Sequence, residues 1–169
     1  MLMVFFLFIS ITGIMLGWKK NTNGYLLAES HKGKSKDLSS WLSFDSLSAI
    51  AVKVLKDSID NSLSPVIDRM DARPDKGMVK ILFRDHFKAI QLDGSTGAVL
   101  HIETRRADWI EKLHDGSLFD HYAGFSSQPV KLGYTAVLGG GLLFLTISGF
   151  WLWINPRRIR KRKEISKSE

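Results

Sequence analysis

The chain carries five histidines and no cysteine. Thiolate zinc sites, iron–sulfur clusters, disulfides and thiol catalysis therefore drop out together. No G-x-S-x-G, H-E-x-x-H or paired-carboxylate signature is present, so hydrolysis has no basis in the sequence. Asp85 and His86 are adjacent on a predicted hairpin turn, where a solvated tip is the simpler reading. His101 falls in a predicted strand and reads as a surface or cross-strand partner. His114 and His121 are the better candidates. They stand seven residues apart, shortly before a long apolar run. Seven residues make two helical turns, but Gly116 interrupts the spacing. The plain reading has His114 capping a short helix or packing against the start of that run. No catalytic residue and no metal ligand set is expected.

Two apolar segments must position these residues. Residues 1–18 hold no charged side chain, and Trp18 is followed by Lys19 and Lys20. About 20 apolar residues cross a bilayer core, within a range of roughly 17–25, so this segment qualifies as a first transmembrane helix. A cleaved signal peptide is the competing reading. It needs a basic start and a small-x-small cleavage site, and neither is present. Residues 132–154 form a second uncharged run of 23, with Tyr134 at one end and Trp151 and Trp153 at the other. That is an aromatic belt at both interfaces of a second span. Asn155-Pro156 is predicted to stop the helix. Gly13 and Gly17 form a GxxxG pair, and Gly140 and Gly141 lie in the second span. Small residues let helix backbones approach in lipid, within one chain or between copies.

The net charge is +7, and residues 155–169 supply +5 of it. Arg157, Arg158, Arg160, Lys161, Arg162 and Lys163 form a basic tail after the second span. By the positive-inside rule this places both termini in the cytoplasm and residues 19–131 across the membrane, on a bacterial periplasmic or outer face. The cluster has no interleaved aromatics, so nucleic acid is not an expected partner. The lipid bilayer is.

Between the spans, residues 19–45 read as a polar linker. Residues 46–60 show helical spacing, with Leu47, Ile50, Val54 and Ile59 on one face, Ala51 and Leu55 beside them, and Ser46 as N-cap. Strands are predicted at 66–70, 78–84, 86–93 and 98–104. Val79, Ile81 and Phe83 share one side, while Ile90 and Leu92 are read as facing opposite sides. Short connections favour an antiparallel meander backed by the helix, over 46–106. Residues 107–131 hold a juxtamembrane amphipathic helix and a loop. The fold class is α+β, a small antiparallel sheet with one packed helix, flanked by two transmembrane helices.

These features together resemble the PepSY-associated transmembrane family. Its D-x-x-T-G pattern is matched by Asp93, Thr96 and Gly97. W-x-x-x-L-H-x-G is matched by Trp109, Leu113, His114 and Gly116. The end of the last helix matches at Ser148, Gly149, Trp153 and Pro156, and T-G-x-x-L-x-x-K at Thr12, Gly13, Leu16 and Lys19. Relatives usually open with a basic stretch and a His before the first span, and many carry more spans. The resemblance implies a non-enzymatic module for protein interaction or regulation, of a peptidase or a transport complex, with homo-oligomers open. It also implies an alternative, a haem-bearing subunit of a reductase for siderophore-bound iron, in which His114 and His121 would hold haem.

Overall fold

The structure, a computed structural model, describes residues 2–168, with side chains described for residues 3–156. The chain forms two compact units, Met1–Gly13 with Lys112–Glu169, and Ile14–Glu111.

The second unit holds the sheet. Four strands, β1 (Ile67–Arg73), β2 (Met78–Phe83), β3 (Lys88–Asp93) and β4 (Val99–Thr104), run as an antiparallel meander in the order 1-2-3-4. The expected meander is present. Helix α2 (Phe44–Val54) runs into a wider π-helical turn, Leu55–Ile59, and covers one face. Its Leu47, Ala51 and Leu55, spaced four apart, meet Val79, Ile81 and Phe83 of β2 and Ile90 and Leu92 of β3 in a fully buried core. Each of the Val, Leu, Ile and Phe side chains among them contributes roughly 1.5–3 kcal/mol when removed from water. Ile50, Val54 and Ile59, expected on the inner face, pack at its margin. Ile90 and Leu92 enter the same core, since residues two apart in a strand share one face.

The helix begins earlier than expected. Ser43, extended at φ −60°, is the cap, and its hydroxyl accepts from the Ser46 amide at 3.2 Å. Ser46 is therefore the capped position and not the cap. Three residues separate a cap from the amide it satisfies, so two serines at that spacing are easily exchanged in a sequence reading.

Met78, Lys80 and Leu82 point to the other face of β2 and are also buried. The segment read as a linker accounts for this. It has almost no regular structure, yet it is tied down as a strap. The His31 amide donates to Gln91 Oε1 at 3.0 Å and the Gln91 amide group donates to the Glu29 carbonyl at 2.9 Å. The Gly33 amide donates to the Lys76 carbonyl, and the Lys34 amide to Asp93. The Leu26 carbonyl accepts from Ala107, and the Leu42 amide donates to Gly94. The buried Lys80 ammonium pairs with Glu103, whose other oxygen accepts from Gln91 at 2.8 Å. Such a buried pair adds little net stability but penalises any arrangement that leaves one partner alone.

The first unit is helical. It contains the start of α1 (Leu2–Gly17), the end of α3 (Arg106–His114), α4 (Ser117–Ala123) and α5 (Pro129–Ser168). Residues Pro129–Pro156 of α5 are long and apolar enough to cross a membrane, the one such helix among the described residues. The first apolar segment is a shorter helix of 16 residues. Pro156 lies inside α5 and does not end it. A proline within a helix removes one hydrogen bond at a cost of about 3 kcal/mol. The Arg, Lys and Glu that follow are good helix formers and carry the helix on. The side chains of Arg157, Arg158, Arg160, Lys161, Arg162 and Lys163 lie outside the described residues.

Candidate functional site

In α1 a single hydroxyl is buried among apolar side chains. Thr12 is 5% exposed, and its Oγ lies 2.9 Å from the Phe8 carbonyl and 3.1 Å from that of Ile9. It also lies 2.8 Å from His114 Nδ1. A hydroxyl has one proton and two lone pairs. With backbone carbonyls in reach, the proton goes to them, and the Thr12 oxygen accepts from His114 Nδ1–H. That places a proton on Nδ1, since a ring nitrogen without one could not donate. A Cβ on Gly13 would stand 3.4 Å from the His114 ring, so the histidine lies against the glycine. The T-G and L-H-x-G motifs therefore meet in one contact, with 102 residues of chain between them. His114 is expected to cap its helix or pack on the last span. Its described partner is instead Thr12 in α1.

The chain then turns at Gly116, whose φ of +79° is left-handed. A Cβ there would also approach the Tyr134 ring at 3.0 Å, so glycine is required twice over. Asp115 accepts from the Ser117 amide at 2.9 Å, the Ser117 hydroxyl and the Lys131 ammonium at 2.7 Å. Burial pushes its carboxyl up, but the lysine and serine contacts outweigh that and hold it below the usual carboxylate value. Asp120, 2% exposed, accepts from the Val130 and Lys131 amides at 3.0 and 2.8 Å. It caps the first turn of the spanning helix, where orphan amides and the helix dipole favour an anion.

In the other unit, Asp93 organises the D-x-x-T-G turn. Its Oδ1 accepts from the Ser95 and Thr96 amides and the Ser95 hydroxyl, and its Oδ2 from the Lys34 amide of the strap. Burial raises its carboxyl, and these four donors together bring it below the ordinary value of 3.8. Gly97 has φ +71°, and a Cβ there would meet Ile50 Cδ1 at 2.5 Å. The motif is thus a turn that locks both the strap and the packed helix.

The remaining histidines do other things. His86 Nδ1 accepts from the Lys88 amide at 3.2 Å, and Nε2 lies 3.0 Å from the Ser64 carbonyl. Both nitrogens are engaged, and burial depresses its pKa, which favours the neutral ring. Asp85 bonds Ser64, so the adjacent pair makes no dyad. The His101 ring lies 4.9 Å from that of His31 and pairs across the sheet with Gln91, as expected of a cross-strand partner. His121 sits in α4, edge-on to Tyr122 at 5.6 Å.

Other motif residues are not drawn into a site. Ser148 bonds the Leu145 carbonyl of its own helix, and Trp153 stacks on Phe150. Trp109 is exposed and Leu113 is half-buried. Nothing comes within 4 Å of a Cβ built on Gly17, Gly140 or Gly149, and Gly141 is half-buried. Asp115, Asp120 and Lys131 carry no signal in the sequence, and Tyr134 reads there only as an interfacial aromatic, not as the neighbour of Gly116. A carboxylate that caps a helix ten residues away leaves no local signature.

Among the described residues no group of three His, Cys, Asp or Glu is placed to hold a metal ion. Haem held between two helices needs histidines from facing helices. Neither apolar segment contains one. The haem-reductase reading is not supported.

An α+β module in a chain with a membrane-length helix defines a membrane-associated protein. The family model for the PepSY-associated TM region matches residues 1–168, and the chain belongs to that family, which is not a known enzyme family. No curated protein and no solved structure matches it.

Two outcomes are expected. In nitrogen-detected NMR of the full chain in detergent at pH 8, His114 shows its proton on Nδ1; a proton on Nε2 contradicts the Thr12 assignment. Asp93, depressed in the folded state, adds stability above pH 3.8 that is lost as pH falls through its lower folded value. Asp93→Asn lacks the Oδ2 acceptor. It should show faster Lys34 amide exchange at pH 7 and a flatter fall in stability below pH 4, read by acid unfolding beside wild type.

Proposed function

We propose that this protein is a two-pass bacterial inner-membrane module that presents its α+β domain on the periplasmic or outer face for protein interaction or regulation. The basic tail supports this orientation. α1, at 16 residues, spans about 24 Å against a bilayer core of about 30 Å. Local thinning of the bilayer accommodates such a mismatch.

One observation carries the interaction reading, the contrast between the two sheet edges. β1 and β4 each have a single strand neighbour. β1 carries Asp68, Arg69, Asp71 and Arg73, with Arg69 paired to both aspartates. A charged edge strand resists the addition of another strand. β4 instead exposes Val99 and Ile102, at 44% and 37%. An unpaired edge with apolar side chains is the surface that an extended peptide adds to, its backbone bonding the strand and its side chains covering the apolar positions. The partner is then a protein with an extended segment on the same side of the membrane, such as a peptidase or a transport component.

A photo-crosslinking amino acid at Val99 or Ile102, in cells, should give a discrete protein adduct that is lost when Lys replaces the other of the two. The same probe at Asp68 or Asp71 should give none. Adducts from β1 alone, or from neither edge, would sink the reading.

A further inference from the structure

We propose that Phe119, Tyr122 and Phe125 form an interfacial anchor that seats α4 in the headgroup–acyl boundary of the bilayer. Their exposure is the first observation. Phe119 is 66%, Tyr122 72% and Phe125 52% exposed, three large rings within seven residues. The neighbouring Ser117, Leu118 and Asp120 are buried, so the short helix has an inner and an outer face. Each ring can bury roughly 150–250 Å², and such a cluster marks a binding surface when left open.

Position identifies the occupant. α4 ends at Ala123, and the membrane-length helix begins at Pro129. The Asp120 carboxylate bonds the Val130 and Lys131 amides, so α4 is held against the first turn of that helix. The three rings are therefore fixed at the depth where the spanning helix enters the bilayer. They are continuous along the chain with its own exposed apolar residues, Leu132 at 67% and Val137 at 63%. A surface that extends a lipid-facing one at that depth meets lipid. The side-chain types agree. Aromatic residues concentrate at membrane interfaces, and Tyr122 can place its ring among acyl chains and its hydroxyl among headgroups. The anchor sets the depth of the α5 entry point and, through Asp120 and Gly116, that of the corner carrying His114. It is independent of the β4 edge.

The absence of cysteine gives a clean test. Single variants Phe119→Cys, Tyr122→Cys and Phe125→Cys carry a nitroxide label in the full chain, reconstituted in phosphatidylcholine vesicles. Ala123→Cys, exposed and with no large side chain to lose, is a further site within α4. Ser62→Cys is the aqueous reference. The ratio of collisions with oxygen to collisions with a nickel chelate should be several-fold higher at the aromatic positions than at Ser62. A ratio equal to that at Ser62 means water and overturns the proposal. Exclusion of both reagents means that protein, such as a second copy of the chain, covers the face, and overturns it equally.

Discussion

The hydrogen bond between Thr12 and His114 is the contact on which the helical unit depends. Thr12 is the buried hydroxyl of α1, and beyond the Phe8 and Ile9 carbonyls of its own helix its described partner is the half-buried His114 ring. A buried donor or acceptor left unpaired costs about 1–3 kcal/mol. Once His114 is fixed by Thr12, the rest follows along the chain. Gly116 turns the backbone in a conformation and a space that refuse a side chain. Asp115 and Asp120 then reach the first turn of the spanning helix from opposite ends of the corner. The amides that Asp120 holds belong to the first turn, where they have no partner within the helix and an anion is favoured by the dipole. A short run of polar residues thus resolves the junction between a membrane helix and the segments before it.

The sheet unit solves a related problem with different means. One face is an ordinary apolar core against α2. The other buries a lysine, a glutamate and a glutamine, which a four-stranded sheet with one helix would leave wet. The strap makes their burial possible, because its backbone supplies the amide and carbonyl that Gln91 requires. Asp93 anchors the same strap three residues further on. A small domain has few apolar residues to spend on a second core. Here backbone hydrogen bonds to buried side chains hold the cover in place.

The sequence was readable where a physical period exists. Alternation in β2 and the turn at Asp93–Gly97 exposed the meander, and uncharged length exposed the spanning helix. Where periods fail, the reading failed too. The strap has no period, since its partners are backbone groups meeting Gln91 and Asp93 some 60 residues away. Ser43 and Ser46 compete for one cap. Pro156 reads as a stop although good helix formers follow it. At the site, His114 stood out by type and position, but Thr12 looked like a motif letter in an apolar run. Only the fold shows that those two letters touch, and only the fold shows that Asp120 caps a helix it does not belong to.

Thr12 and His114 act as one unit. A double-mutant cycle with Thr12→Val and His114→Ala, read by thermal unfolding of the full chain in mild detergent, measures this directly. The coupling energy should reach about 1 kcal/mol or more, the double variant losing less than the two single losses combined. Additivity within about 0.5 kcal/mol would show two independent residues and contradict it.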